Sequence, residues 1–327
     1  MSPTDGRAGA GESWSIDVVI PTYNRAELVA KAIESALAQS RRPDAVIVVD
    51  DGSTDGTAGA VAAFGPSVSY LVVPHRGVAA ARNAGVESSD ADFIALLDSD
   101  DSWDPGHLER VERAIDATSG EACLYFSDLR LGAGRDAAAS IWRACSFGIE
   151  RDHELRSDAT AWGLLPRQPM MTTASVVSRE AYRKLGGQAE NLISREDTHL
   201  FTNLCLSGPA CAVAGIAGEA RAGDAESLSQ RELNSLSYWQ NTRWLYADLL
   251  ARYGDLPPAD AAVLRRRLAE ADWQLARGLF ARRPFEALSH LARAARDDHR
   301  VVAEHCRSLG SRLFGLPRAS SADGRPS

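Results

Sequence analysis

The first half of the chain alternates between short apolar runs and longer stretches of helical spacing. Residues 16–20 form a short β-branched run, which reads as a buried strand. After the polar group Pro21, Thr22, Tyr23 and Asn24, apolar positions recur at Leu28, Val29, Ala32, Ile33, Ala36 and Leu37 and predict a helix. The same alternation predicts strands over 45–49, 68–73, 93–97 and 124–129. It predicts helices from Thr54 or Asp55 to Phe64, over 78–87, and from Pro105 to about Ser119. Gly65 and Pro66 stop the second helix, and Pro105 suits a first helical turn.

Beyond this the pattern loosens. Residues 132–169 read as irregular, 171–177 as a further strand and 196–207 as a helix. From Leu233 to about Leu313 the spacing is helical. The expected division is a disordered start (1–14), an α/β domain (15–230), a helical extension (231–315) and a disordered end (316–327). Strands alternating with helices imply right-handed crossovers and a Rossmann-like, mostly parallel sheet flanked by helices.

In such a sheet, ligands bind at the carboxyl ends of the strands. The unusual residues fall there: Tyr23 after the first strand, Asp50, Asp51, Gly52 and Ser53 after the second, His75, Arg76 and Gly77 after the third, and Asp98, Ser99, Asp100 and Asp101 after the fourth.

Composition narrows the classes. The 327 residues carry 36 basic and 44 acidic side chains, a formal net charge of -8, which opposes general nucleic-acid binding. Five scattered cysteines without a C-x-x-C pair read as reduced thiols of a cytoplasmic protein. The polar first 13 residues read as no signal peptide, and no apolar run approaches a membrane span. Residues 265–318 hold 12 Arg against 6 acids, so charge is uneven along the chain. Two readings follow for that segment: a packed helical appendage with a solvated face, or a peripheral contact with an anionic membrane at its inner face or with a lipid-linked acceptor.

Three carboxylates in four residues after an apolar strand repel one another unless a cation sits among them. Asp98, Asp100 and Asp101 therefore read either as ligands of a divalent cation, Mn2+ or Mg2+, or as an acidic turn capping the next helix. Asp51 reads as a base or ribose acceptor or as a strand-ending turn residue. Tyr23 could stack on a base or belong to the core, and Arg82 could meet a diphosphate or be a surface cation. Glu196 and Asp197 read as a general base or as an ordinary acidic first turn.

Five ordered segments, V-V-I-P-T-Y-N-R (18–25), V-V-D-D-G-S-T-D-G-T (48–57), G-V-A-A-A-R-N-A-G (77–85), A-L-L-D-S-D-D-S-W (95–103) and R-E-D-T-H-L (195–200), together resemble the family 2 glycosyltransferases over about residues 15–210. The resemblance implies a GT-A fold, a nucleotide-diphosphate sugar donor (usually UDP-linked), a divalent cation and inversion of the anomeric centre. By position it implies that Pro21 and Tyr23 line the base pocket, Asp51 bonds the base and Arg82 lies near the nucleotide. Asp98 would approach the ribose or metal, Asp100 would ligate the metal, and Asp197 would be the general base. Glu196, Asp101 and Arg221 are secondary candidates.

Several positions depart from the family pattern. His75 and Arg76 precede Gly77 where an Asn is frequent, Gln188 follows Gly187 where an aromatic is common, and Arg221 is the single cation before Ser227, Leu228 and Ser229. Gln240, Arg243 and Trp244 spell the Q-x-x-R-W of processive synthases but also share one helix face, and coincidence is favoured. The expected acceptor is a glycan, a lipid-linked intermediate or a small molecule. The competing expectations are a catalytically silent nucleotide-sugar-binding or scaffold protein of the same fold, and a nucleotidyltransferase; the latter is disfavoured because residues 21–25 hold no glycine.

Overall fold

The computed structural model describes residues 13–132, 139–221 and 235–314, with side chains as far as residue 307. The chain forms two compact units, Met1–Arg231 and Glu232–Ser327. Most of the two expected disordered ends, and Ser227 to Ser229, lie outside the described residues. Trp14, grouped by sequence with the first tail, packs edge-on against Phe93 with ring centroids 5.6 Å apart.

The first unit is built on a nine-stranded sheet ordered β3-β2-β1-β4-β8-β6-β9-β5, with β7 on β9. The first four strands are β1 (Ile16–Thr22), β2 (Val46–Asp50), β3 (Ser69–Val72) and β4 (Phe93–Leu96), all parallel. They are joined by α1 (Ala26–Leu37), α2 (Thr57–Ala62) and α3 (Val78–Glu87). Then come β5 (Ser102–Trp103), α4 (His107–Ala117), β6 (Leu124–Leu131), α5 (Ile141–Cys145), β7 (His153–Arg156) and α6 (Thr160–Gly163). The unit continues through β8 (Ser175–Ser178), α7 (Arg179–Lys184), α8 (Glu196–Ser207) and β9 (Ala210–Ala220). β6 and β9 run with β1–β4, while β5, β7 and β8 run against them.

The two-residue period of β1 divides the core. Ile16, Val18 and Ile20 pack with Val29 and Ile33 of α1 and Leu108, Val111 and Ile115 of α4. Val19 faces the other way, toward Ala81 and Val86 of α3 and Leu200, Phe201 and Leu204 of α8. Helices therefore cover both faces, and continuous apolar strands are what such burial requires. α3 presses close to the sheet because residue 85 is glycine: a Cβ there would lie 2.5 Å from Val19 Cγ1.

The segment read as irregular contains α5, β7 and α6. β7 is a half-exposed strand of His, Glu, Leu and Arg, so it shows no apolar alternation. The apolar run 210–220 is a strand whose register to β6 shifts between Phe126 and Arg130, and Gly215 adopts φ 103° within that bulge. Pro105 lies ahead of α4, which starts at His107, and Gly65–Ser67 forms a short 3-10 turn.

The second unit consists of α9 (Leu236–Arg252), α10 (Pro258–Leu279) and α11 (Pro284–Phe314). Ser235 caps α9 by accepting from the Tyr238 N–H, and α11 breaks at Asp298 (φ -156°, ψ 99°). The Asp298 carboxylate restarts it by accepting from the Arg300 N–H at 2.9 Å. The apolar seam holds Ala269, Trp273, Ala294 and Val301, with Trp273 stacked on His305. Beside it, fully buried Asp272 accepts from Arg243, His290 and Arg293. Arg243, part of the Q-x-x-R-W pattern, is thus committed to a buried ion cluster. Among the described residues no helix is long and apolar enough to cross a membrane.

Candidate active site

Four strand ends converge at one edge of the sheet, and their turns are tied together by side chains. Asn24, at φ 50°, leaves β1 in the left-handed region that asparagine tolerates better than most residues. Its Oδ1 accepts from the Thr54 N–H at 2.8 Å while its own N–H reaches Ser53 Oγ at 2.8 Å, which locks the β1 turn to the β2 turn. Tyr23, 42% exposed, lies against the His75 ring at 4.2 Å and 22°. Pro21 is buried in β1, one residue before the strand end.

Asp50 and Asp51 divide the labour at the end of β2. Asp50 holds its own turn by accepting from the Ser53 N–H at 2.7 Å and from the Tyr70 hydroxyl. Asp51 reaches across to the turn before α3: Oδ1 accepts from the Arg76 N–H at 2.8 Å and Oδ2 from the Gly77 N–H at 2.9 Å. His75 Nδ1 also lies 2.9 Å from Asp51 Oδ2. Oδ2 thus already faces two nitrogens, while Oδ1, with the Arg76 N–H, keeps lone-pair capacity for one further donor.

Arg82, on α3, is the centre of the site. It is 3% exposed and satisfied by groups far apart in sequence. Nη2 donates to Asp98 Oδ1 at 2.6 Å, and Nη1 donates to Glu196 Oε1 and Gln188 Oε1, both at 3.1 Å. Next to it, Asn83 fastens the 186–190 loop, donating to the Gln188 carbonyl at 3.0 Å and accepting from the Gln188 N–H at 2.8 Å. A Cβ at Gly187, which adopts φ 75°, would sit 2.5 Å from Asn83 Oδ1, so glycine is needed there on two counts.

The acidic turn after β4 is held the same way. Asp98 pairs with Arg82, Asp100 Oδ2 meets Arg25 Nη1 at 2.8 Å, and Asp101 accepts from Thr173 Oγ1 and from the Arg221 N–H at 2.9 Å. Burial, and then the negative charge of Asp98, pushes the Asp101 carboxyl well above the ordinary carboxylate range. Asp100 is raised by burial too, with Arg25 pulling it back. Asp98 and Asp100, expected as the metal pair, thus each close an ion pair with an arginine. Among the described residues no group of three or more His, Cys, Asp or Glu side chains is placed to hold a metal ion.

α8 starts from Arg195 at φ 72°, a left-handed conformation that costs a non-glycine residue about 1–2 kcal/mol. That turn brings Glu196 to Arg82. Burial and then the neighbouring Asp197 charge raise the Glu196 carboxyl, against the pull of Arg82. Asp197 Oδ1 accepts from the Thr198 hydroxyl at 3.2 Å, and its charge also acts on Arg82. A cleft of about 400 Å³ borders the acidic turn on the α1 side, with Asp100, Asp101, Lys31, Glu219 and Arg221 on its wall.

The structure therefore brings Arg82, Asp98, Glu196 and Asp197 together, and Asp51 and Tyr23 together with His75. Gln188, His75, Arg25 and Thr173 had no individual role assigned from the sequence. Gln188 stood out only as a departure from the family pattern, His75 also as part of a polar strand end, and nothing in the sequence pairs Arg25 or Thr173 with an aspartate 70 or more positions away.

Known proteins share the fold and the family of this chain. The glycosyl transferase family 2 model matches residues 17–185, just over half of the chain. The succinoglycan biosynthesis protein ExoO of Rhizobium meliloti is 41% identical over 111 residues, 33% of this chain and 32% of that protein. ExoW of the same organism is 26% identical over 311 residues, covering 88% of this chain and 95% of that protein. The matches to ExoO and to an uncharacterised glycosyltransferase of a Nostoc species span about a third of each relative's length, 32% and 37%. The solved structure of residues 1–349 of S. aureus TarS superposes with a TM-score of 0.66 at 17% identity, covering 95% of each chain. A mannosyltransferase from Pyrobaculum calidifontis gives 0.55 at 20% identity, covering 93% of this chain and 82% of the other. These likenesses show the GT-A type of fold, with a mostly parallel sheet between helices. By its family match, the chain belongs to glycosyl transferase family 2.

Proposed function

We propose that the chain transfers a sugar from a nucleoside-diphosphate sugar, UDP-linked, to an acceptor hydroxyl with inversion at the anomeric carbon. The observation that carries this reading is Arg82. One buried guanidinium fixes the strand-end aspartate Asp98 and the helix-start glutamate Glu196 within hydrogen-bond reach of the same group. A donor-side acidic turn and a carboxylate pair fit to serve as base are thereby one site. TarS has been solved with UDP and with UDP-GlcNAc, and the mannosyltransferase with GDP-Man and Mn2+, which favours a nucleotide-sugar donor.

In this reading Pro21 and Tyr23 border the base, Asp51 accepts from its edge, and Asp98 lies toward the ribose. The arms of Arg82 are committed to Asp98, Gln188 and Glu196, so it sets the spacing of the site instead of gripping the diphosphate alone. Asp197 takes the proton of the attacking hydroxyl as the new C–O bond forms on the face opposite the departing diphosphate. The acidic turn fits a divalent cation that takes one or two carboxylates, Asp100 with Asp98, and fills its shell from phosphates and water. The raised Asp100 and Asp101 carboxyls support that fit, because a cation relieves the burial and repulsion that raise them. When bound, such a cation offsets charge developing on the leaving group. The succinoglycan-biosynthesis names of ExoO and ExoW favour a glycan or lipid-linked acceptor.

The test is Asp197→Asn. Transfer measured by product formation drops about 10²- to 10⁴-fold, while donor affinity measured by calorimetry stays within about twofold. Full transfer by this variant would remove Asp197 as base, and no transfer by the wild type with any donor would favour a silent member of the fold.

A further inference from the structure

The tip of the α10–α11 hairpin carries apolar side chains that its own bundle leaves in water. Phe280, Phe285 and Leu288 are 60%, 85% and 54% exposed. They fall within nine residues, while their neighbours Leu279 and Ala287 are buried together with Ala276. The hairpin is therefore pinned from beneath by one set of side chains and displays the other. Exposed phenylalanines forgo the largest favourable term in folding, so a cluster of them marks a contact surface more often than a single one does.

The charge around the tip has a definite sign. Arg277, Arg282 and Arg283 are all exposed. Arg283 meets Glu286 at 3.3 Å, whereas Arg277 and Arg282 make no ion pair among the described residues. Residues 277–288 thus hold three cations and one anion. Three side chains at a hairpin tip supply a few hundred Å² at most, at about 150–250 Å² for each aromatic. A stable protein interface needs roughly 800 Å² per partner. Apolar side chains ringed by long basic ones are, by contrast, the composition of a segment lying in a lipid interface, where arginine heads reach headgroups while rings enter the acyl boundary.

We propose that this tip is a membrane-contact surface: Phe280, Phe285 and Leu288 enter the interfacial layer of a bilayer, and Arg277, Arg282 and Arg283 bind anionic headgroups. The contact is peripheral and adds to the transfer reaction without being part of it.

Flotation of the full chain with phosphatidylcholine vesicles, with and without phosphatidylglycerol, tests this independently of sugar transfer. The wild type floats with the phosphatidylglycerol vesicles and less so as salt is raised. Phe280→Ser with Phe285→Ser lowers the bound fraction about tenfold, and Arg277→Glu with Arg282→Glu removes the preference for the anionic lipid. These positions are exposed, so both variants keep the wild-type melting temperature. Wild-type protein left in the soluble fraction, or equal flotation of the wild type and the Phe variant, overturns the proposal. So does a wild-type dimer that the Phe variant converts to monomer without any vesicle binding, which would assign the tip to a second copy of the chain.

Discussion

In the sheet unit a guanidinium, Arg82, is buried among carboxylates; in the helical unit a carboxylate, Asp272, is buried among cations. Both clusters join elements distant in sequence, and they differ in what is left over. Around Arg82 the surplus is negative and held in place: Asp98 and Glu196 bond it directly, Asp197 acts on it, and Asp100 and Asp101 crowd the same turn. Around Asp272 the surplus is positive, but Arg243 and Arg293 are each about a third exposed and can share their charge with water. A fixed excess of charge at the ends of strands is what a counter-charged ligand would relieve. A cluster whose surplus charge is shared with water holds helices together within a bundle. Burial of charge alone does not mark a site; uncompensated, immobile charge does.

Arg82→Met is expected to have the largest effect on stability. It leaves Asp98 and Glu196 without their partner and costs about 3–5 kcal/mol in denaturant unfolding, with transfer lost as well. A variant that keeps both stability and transfer would show that Arg82 is not what holds Asp98 and Glu196 in place. Asp272→Asn costs less, about 1–3 kcal/mol, because its arginines can turn to solvent, and it leaves donor affinity unchanged. A shift in donor affinity in that variant would show that the helical cluster is more than a clamp.

The smallest effect is on pH dependence. The folded-state Glu196 carboxyl is raised above its ordinary value of 4.5, so the native chain holds a proton that the unfolded chain has released. Its contribution to stability is complete below pH 4.5 and declines as pH rises toward neutrality. Glu196→Gln should flatten that decline in ligand-free protein, as read by melting temperature against pH. An unchanged profile would mean that Arg82 holds Glu196 ionised throughout.

Much of this architecture was legible before the structure. α3 and α8 occupy the expected residues because each is set off by a turn signal and carries apolar side chains at helical spacing. β1, β2 and β4 were legible because strands buried on both faces are nearly all apolar. β7 was not, since an exposed strand of His153, Glu154, Leu155 and Arg156 depends on its pairing with β9 and not on its own composition. In the site, the types of residue were legible and their partners were not. Arg82 looked like a surface cation until Asp98, Gln188 and Glu196 closed on it from 16 to 114 positions away. His75 looked like a departure from a pattern until its ring met Tyr23 and Asp51.

In the proposed function, the carboxylate excess at the strand ends forms a nucleotide-sugar site completed by a cation. It is tested most directly by titrating the wild-type chain with UDP-sugars and GDP-sugars in Mn2+ and again in EDTA, reading heat of binding. Saturable binding of a UDP-sugar in Mn2+, weakened in EDTA, is the expected result. Absence of binding by every nucleoside-diphosphate sugar in both conditions would contradict it.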